Sequence, residues 1–203
     1  AALLQTSVAR TCQCLNWKQA LDVSCKQGQH LDLAEPSSPL DVRFCIFREE
    51  IPITPNTEFY NNSDHSYCVG TARFKTPQQG PSVGTWCYVP AACGELNGGK
   101  LINKRVAYKM CQEGSGESLG ELPPAELFAL AKKTDMDGQI ISLLAYDWAG
   151  PKKDKGSLLE TTYDASKRAL VGASWKVDTF TVVYKDEVWE VNQGPVCTQG
   201  CSK

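Results

Sequence analysis

A chain of 203 residues is long enough for one large domain or two small ones. With 42% hydrophobic and 22% charged residues it has the composition of a folded globular protein, which excludes a disordered one. Its formal net charge of -2, spread as 11 Lys/Arg against 9 Asp/Glu in residues 1–112 and 10 against 14 in residues 113–203, is too weak and too mixed to steer the chain to nucleic acid or to an anionic membrane.

The chain opens Ala1-Ala2-Leu3-Leu4-Gln5, without a charged and then apolar leader, and reads as a mature terminus from which a targeting peptide has been removed. Asn16 to Val23 reads as a short helix, capped by Asn16, with Trp17, Ala20 and Leu21 on its apolar face. Val42–Phe47, Tyr67–Phe74, Thr85–Val89 and Arg105–Met110 read as strands, separated by Pro, Gly, Asn and Ser clusters. Asn61-Asn62-Ser63 is a glycosylation sequon, which in an exported protein marks Asn61 as a surface-loop acceptor. Leu96-Asn97-Gly98-Gly99-Lys100 is a turn, because Asn-Gly accepts the positive φ that tight turns need.

Gln112 to Gly120 is polar and rich in Gly and Ser, as a linker is. The expected organisation is therefore a cysteine-rich domain over residues 1–112, a linker over 113–122 and a second domain over 123–203. In the latter, Pro123-Pro124 opens a helix to about Lys133, with Leu127, Leu130 and Ala131 on one face. Gln139–Trp148 fits a buried strand or a helix equally. Leu158–Leu170 reads as helical, and Trp175–Tyr184 with Glu187–Val191 as two strands turned at Lys185-Asp186. The fold class expected is α+β, a disulfide-rich domain of short strands and turns followed by a small α+β domain ending in a hairpin. No stretch approaches the roughly 18 apolar residues that span a bilayer.

Cysteine is the informative residue. Of the ten, Cys12, Cys14, Cys25, Cys45, Cys68, Cys87, Cys93 and Cys111 precede residue 112, and Cys197 and Cys201 lie near the end. Both groups are even, and a small domain that buries little apolar area gains stability from crosslinks. All ten are expected in disulfides, which persist only in an oxidising compartment. Connectivity is not fixed by spacing. Cys12 and Cys14 are expected to take different partners, and Cys197 and Cys201 to pair together or within the second half.

Chemistry-bearing constellations are incomplete. Nucleophilic catalysis needs a base beside the nucleophile, and the two histidines, His30 and His65, lie in polar, loop-like surroundings that point to solvated surface positions. Cys12-x-Cys14 and Cys197-x3-Cys201 lack a second matching pair for zinc. Asp135-Met136-Asp137-Gly138 resembles part of a calcium loop, but its first and twelfth positions would be Lys133 and Leu144, neither of which ligates calcium, so a helix-ending Asp-Gly turn is expected. No metal, cofactor or catalytic residue is assigned. Trp86, Tyr88 and Trp148 are the candidate binding surface for a sugar or apolar ligand, against core packing as the simpler use of such rings.

The pattern Cys12-x-Cys14-x-x-Trp17, Cys45, Cys68, Gly84-Thr85-Trp86-Cys87-Tyr88-Val89, Cys93, Leu96-Asn97-Gly98-Gly99 and Tyr108-Lys109-Met110-Cys111 resembles a cysteine-rich domain that recurs in exported and organelle-targeted proteins of dinoflagellate algae. The resemblance spans about residues 11–112 and departs from the pattern at Tyr108, where Trp is expected. It implies lineage and an extracytoplasmic compartment, secreted or the thylakoid lumen reached through the secretory route, and the family it resembles has no known catalytic activity. The Trp-Cys-Tyr triplet is also similar to kringle and fibronectin type II modules, whose cysteines are fewer and differently spaced. The functional expectation is a non-catalytic subunit or linker of an extracytoplasmic assembly, its partners other proteins of that complex, with peripheral membrane-complex attachment. The alternative is a secreted module that binds carbohydrate or a small ligand.

Overall fold

The computed structural model describes residues 12–17, 19–20, 29–31, 45–47, 64–70, 84–151, 169–174, 179–191 and 194–201. It is an α+β, disulfide-rich structure that divides into two units. One comprises Ala1–Cys68 and Gly84–Glu117, the other Val69–Val83 and Ser118–Lys203. The division between Glu117 and Ser118 falls inside the stretch 113–122, and Val69–Val83 is grouped with the second unit.

In the first unit, strands Gln29–Leu31 (β1) and Cys45–Phe47 (β2) pair antiparallel, His30 opposite Ile46. The strand expected over Val42–Phe47 is thus present in its last three residues. His30, expected in a loop, lies in a strand, because backbone pairing with Ile46 overrides the weak local propensity of Gln-His. Val69–Gly70 (β3) is a two-residue strand counted with the second unit. Thr85–Pro90 (β4) and Val106–Cys111 (β5) form the principal antiparallel hairpin, with Tyr88 opposite Tyr108 and Cys87 opposite Lys109. Before it, Trp17, Gln19 and Ala20 lie in a helical turn, opened by the Asn16 carbonyl accepting from the Ala20 N–H at 2.9 Å.

The connection from β4 to β5 contains the expected Asn-Gly turn. Asn97 and Gly98 have φ of 50° and 95°, and the Gly99 N–H donates to the Leu96 carbonyl at 2.8 Å, the pattern of a type I′ turn. The turn folds back on β5, where the Met110 N–H donates to the Leu96 carbonyl and the Asn97 amide to the Met110 carbonyl. A Cβ at Gly99 would overlap the Tyr108 carbonyl oxygen and crowd Lys109 Cα. Backbone cannot yield as a side-chain tip does, so Gly99→Ala should destabilise the first unit by about 1–3 kcal/mol, read as a fall in the urea midpoint. Gly94→Ala, which meets open space, is the control and should leave the midpoint unchanged.

The stretch expected as a linker is folded. Glu117 belongs to the first unit, and Ser118 opens a 3-10 turn, Leu119–Glu121, its hydroxyl accepting from the Gly120 N–H while Leu119 is fully buried. Helix α1, Pro124–Lys133, runs as expected, with a proline in its first turn and two lysines in its last. Helix α2, Gly138–Ala145, settles the ambiguous segment. Asp137 caps it by accepting from the Gln139 and Ile140 N–H groups, both at 2.9 Å. The Asp-Gly pair is therefore a helix-starting cap, and the Phe128 ring packs against Gly138 where a Cβ would force it to shift. Ile141, Leu144 and Ala145 form the buried face of α2, spaced as one helix face must be.

The second unit's sheet has the order β10-β9-β8-β7-β6. Its strands are Asp147–Pro151 (β6), Leu170–Ser174 (β7), Thr179–Tyr184 (β8), Glu187–Val191 (β9) and Pro195–Gln199 (β10). β6 pairs parallel with β7, and the remaining pairs are antiparallel. The expected β8–β9 hairpin turns at Lys185-Asp186, with Lys185 at φ 54°. Leu170, expected at the end of a helix, begins a strand, and residues 158–168 and 175–178 lie outside the described residues. Val171, Val182, Val188 and Val191 are buried in this unit, as are Leu119, Leu127 and Ile141. Two tyrosines fasten the 3-10 turn. Tyr146 donates to the Leu122 carbonyl at 2.8 Å and Tyr184 to the Glu121 carbonyl at 3.1 Å. Burial and the neighbouring Tyr184 raise the Tyr146 phenol well above its ordinary range.

Candidate functional site

The β4–β5 hairpin carries the most distinctive chemistry of the chain, and simple alternation arranges it. Successive strand residues point to opposite faces, and directly opposed residues share a face. Thr85, Cys87 and Val89 therefore stand with Ala107, Lys109 and Cys111 on one face. Trp86, Tyr88 and Pro90 stand with Val106, Tyr108 and Met110 on the other. One face collects sulfur and the other collects rings.

On the sulfur face, Cys68, Cys87, Val89, Cys93 and Ala107 are buried together, with Cys12, Cys14, Leu96 and Cys111 against them. Three disulfides close here: Cys12–Cys93, Cys14–Cys87 and Cys68–Cys111. Cys12 and Cys14 take different partners, as their spacing requires. Two of the bridges lie side by side, with the sulfurs of Cys14 and Cys68 3.4 Å apart and those of Cys87 and Cys111 3.9 Å apart. The Cys197–Cys201 bridge, also expected, spans four residues at the end of β10 in the second unit. No described cysteine is free. Cys45 sits in β2, and Cys25 lies outside the described residues.

The same face buries a charge. Lys109 is buried, and its ammonium donates to both carboxylate oxygens of Glu117 at 2.7 and 3.0 Å. A buried lysine is tolerated only when paired. Sequence reading missed this pair, although Lys109 and Cys111 alternate on one face and the position of Lys109 demands a carboxylate.

On the ring face, Trp17 packs edge-on against Trp86 and Tyr88, with ring centres 5.4 and 5.2 Å apart. Trp86 meets Tyr88 at 4.9 Å and Tyr108 at 6.1 Å in the same manner, a preferred arrangement for aromatic pairs. Trp86 and Tyr88 are only 2% and 1% exposed. They form the core of the unit, which corrects their assignment to a binding surface: the strands' alternation that gathers them also covers them with Trp17. Trp148 lies in β6, and its side chain is outside the described residues, as is the glycosylation candidate Asn61.

His65 is also corrected. It is 5% exposed and lies beside Trp17 and Tyr67, so it is not a solvated surface histidine. The Tyr67 N–H donates to its Nδ1 at 3.2 Å, which fixes the neutral tautomer with hydrogen on Nε2. Burial lowers its pKa from 6.5 to about 4, with adjacent Asp64 partly opposing the fall. The unfolded chain therefore binds a proton that the folded chain refuses between those values. The contribution is complete above pH 6.5 and is lost as pH falls toward 4, for a cost of about 3 kcal/mol. His65→Gln should flatten the urea midpoint between pH 7 and pH 4 by about that amount. An unchanged slope would place the titrating group elsewhere.

Among the described residues, no helix is long and apolar enough to cross a membrane. No family model matches the chain, and neither a curated protein nor a solved structure matches it at a significant level.

Proposed function

We propose that this protein is a non-catalytic structural or interaction subunit of an extracytoplasmic assembly. Its several intramolecular disulfides suit an oxidising, extracytoplasmic compartment. The finer address that the algal resemblance implies, secreted or thylakoid-lumenal, is part of the proposal, as is attachment to a photosynthetic complex.

The observation that carries this reading is the use made of the reactive side chains. His65 is buried with Nδ1 occupied by a backbone N–H, Lys109 is neutralised by Glu117, and Trp86 and Tyr88 are packed against Trp17. In the hairpin these groups build a rigid crosslinked block. What the two units offer outward includes Leu101, 61% exposed, and Val196, 60% exposed on the edge strand β10. Single exposed apolar side chains are ordinary at a protein surface, and these two mark where contacts with a partner are to be sought. The carbohydrate-binding alternative needs Trp86 and Tyr88 at the surface and is not favoured.

Affinity purification from the native source with chemical crosslinking is the test. A stoichiometric protein partner is expected, with crosslinks falling near Leu101 or β10. Recovery always as a free monomer overturns the reading.

A further inference from the structure

The two adjacent bridges bring four sulfurs into one small volume. The Sγ atoms of Cys14, Cys68, Cys87 and Cys111 all lie within 4.8 Å of one another. A zinc ion bound to four thiolates at about 2.3 Å needs sulfurs roughly 3.8 Å apart along each edge of a tetrahedron. Of the four unbonded pairs, Cys14–Cys68 and Cys87–Cys111 already measure 3.4 and 3.9 Å, and the other two lie within 4.8 Å. Breaking the two disulfides releases the Cys14–Cys87 and Cys68–Cys111 edges, which must lengthen most, while the other pairs need smaller adjustments. The sulfurs come from separate parts of the chain: the segment before Trp17, the residue preceding β3, the middle of β4 and the end of β5. Cys68 and Cys87 are fully buried and Cys14 and Cys111 half-buried, which gives a dry interior with one accessible edge.

We propose that in the reduced chain these four cysteines form a tetrathiolate site for zinc, so that the same sulfurs lock the hairpin either with two disulfides or with one thiophilic divalent cation. The chemistry balances. Each disulfide takes two electrons from one phosphine reductant and yields two thiols, the phosphine gaining its oxide oxygen from one water. One Zn²⁺ then displaces four protons from the four thiols, leaving a complex of charge 2−. Soft thiolate donors select zinc and its neighbours over calcium or magnesium. Cys12, Cys93, Cys197 and Cys201 stand outside the four-sulfur group. The proposal is independent of the partner reading, since a chain with no partner can still bind the ion.

The full-length protein, reduced by phosphine without oxygen, is titrated with Co²⁺ and then Zn²⁺, and its thiols are alkylated and mapped by mass spectrometry. One ion per chain is expected, with the absorption of tetrahedral cobalt thiolate, displaced by zinc. Cys14, Cys68, Cys87 and Cys111 should lose reactivity toward the alkylating agent while Cys12, Cys93, Cys197 and Cys201 keep it. Cys197→Ser with Cys201→Ser should bind as the parent does, and Cys14→Ser with Cys68→Ser should lose the cobalt spectrum. Because the last variant can fail for want of folding, the protection map on the unaltered chain decides. No cobalt-thiolate absorption, or protection spread evenly or falling on other cysteines, overturns the proposal.

Discussion

Reduction in the presence of a chelator should unfold the β4–β5 hairpin and leave the five-stranded sheet standing. The three described bridges of the first unit join residues 81, 73 and 43 positions apart. In the chain-entropy account, removing a crosslink across loops of that length frees the denatured chain by about 4 kcal/mol each. That is a large share of the roughly 5–15 kcal/mol by which a domain is stable. In the second unit the described bridge spans four residues and constrains little. Hydrogen exchange before and after reduction should show protection lost over 85–90 and 106–111 and retained over 124–145 and 179–191. Loss across both sets would mean that the two units do not hold their stability separately. Zinc in place of the chelator should restore part of the protection to the hairpin, which ties this measurement to the tetrathiolate proposal.

Trp17→Ala should be the most damaging single substitution in the ring cluster. Trp17 is fully buried, and its indole touches Trp86, Tyr88 and His65 at once. Its indole N–H donates to the Tyr67 carbonyl at 3.4 Å, and its backbone N–H to the His65 carbonyl at 3.2 Å. Truncation empties the space between three aromatic rings that cannot collapse into it, because the disulfides on the opposite face pin the strands. A loss of about 3–5 kcal/mol is expected, measured as a lowered urea midpoint. Trp17→Phe should recover a good part. Leu101→Ala, at an exposed position, should change stability by less than about 0.5 kcal/mol. A small effect of Trp17→Ala would mean that this ring is peripheral to the core.

Much of the local structure was legible because it depends on short-range rules. Asn97-Gly98 announces a turn that needs positive φ at both positions, and the structure supplies it. The prolines and closing lysines bound α1, and the Lys185-Asp186 turn joins β8 to β9. Leu170–Ser174 was not legible as a strand, because its partner β6 is a distant parallel neighbour and the stretch Trp175-Lys176-Val177-Asp178 before its antiparallel partner β8 carries no Gly, Pro or Asn-Gly turn signal. His65 shows the same limit at the site: Ser-Asp-His-Ser reads as polar loop, whereas the covering group, Trp17, lies far away in sequence. The alternation Trp86-Cys87-Tyr88 is plain in the sequence, but its two-faced consequence depends on Trp17 covering one face and Cys14 and Cys68 the other.

The separation of sulfur from rings also makes oxidation a check on folding. If β4 and β5 paired one residue out of step, Cys87 or Cys111 would turn toward the indoles and away from Cys14 and Cys68. The bridges Cys14–Cys87 and Cys68–Cys111 could then not both close. A mispaired chain would keep reactive thiols and remain open to exchange, and only the correctly aligned one would be sealed.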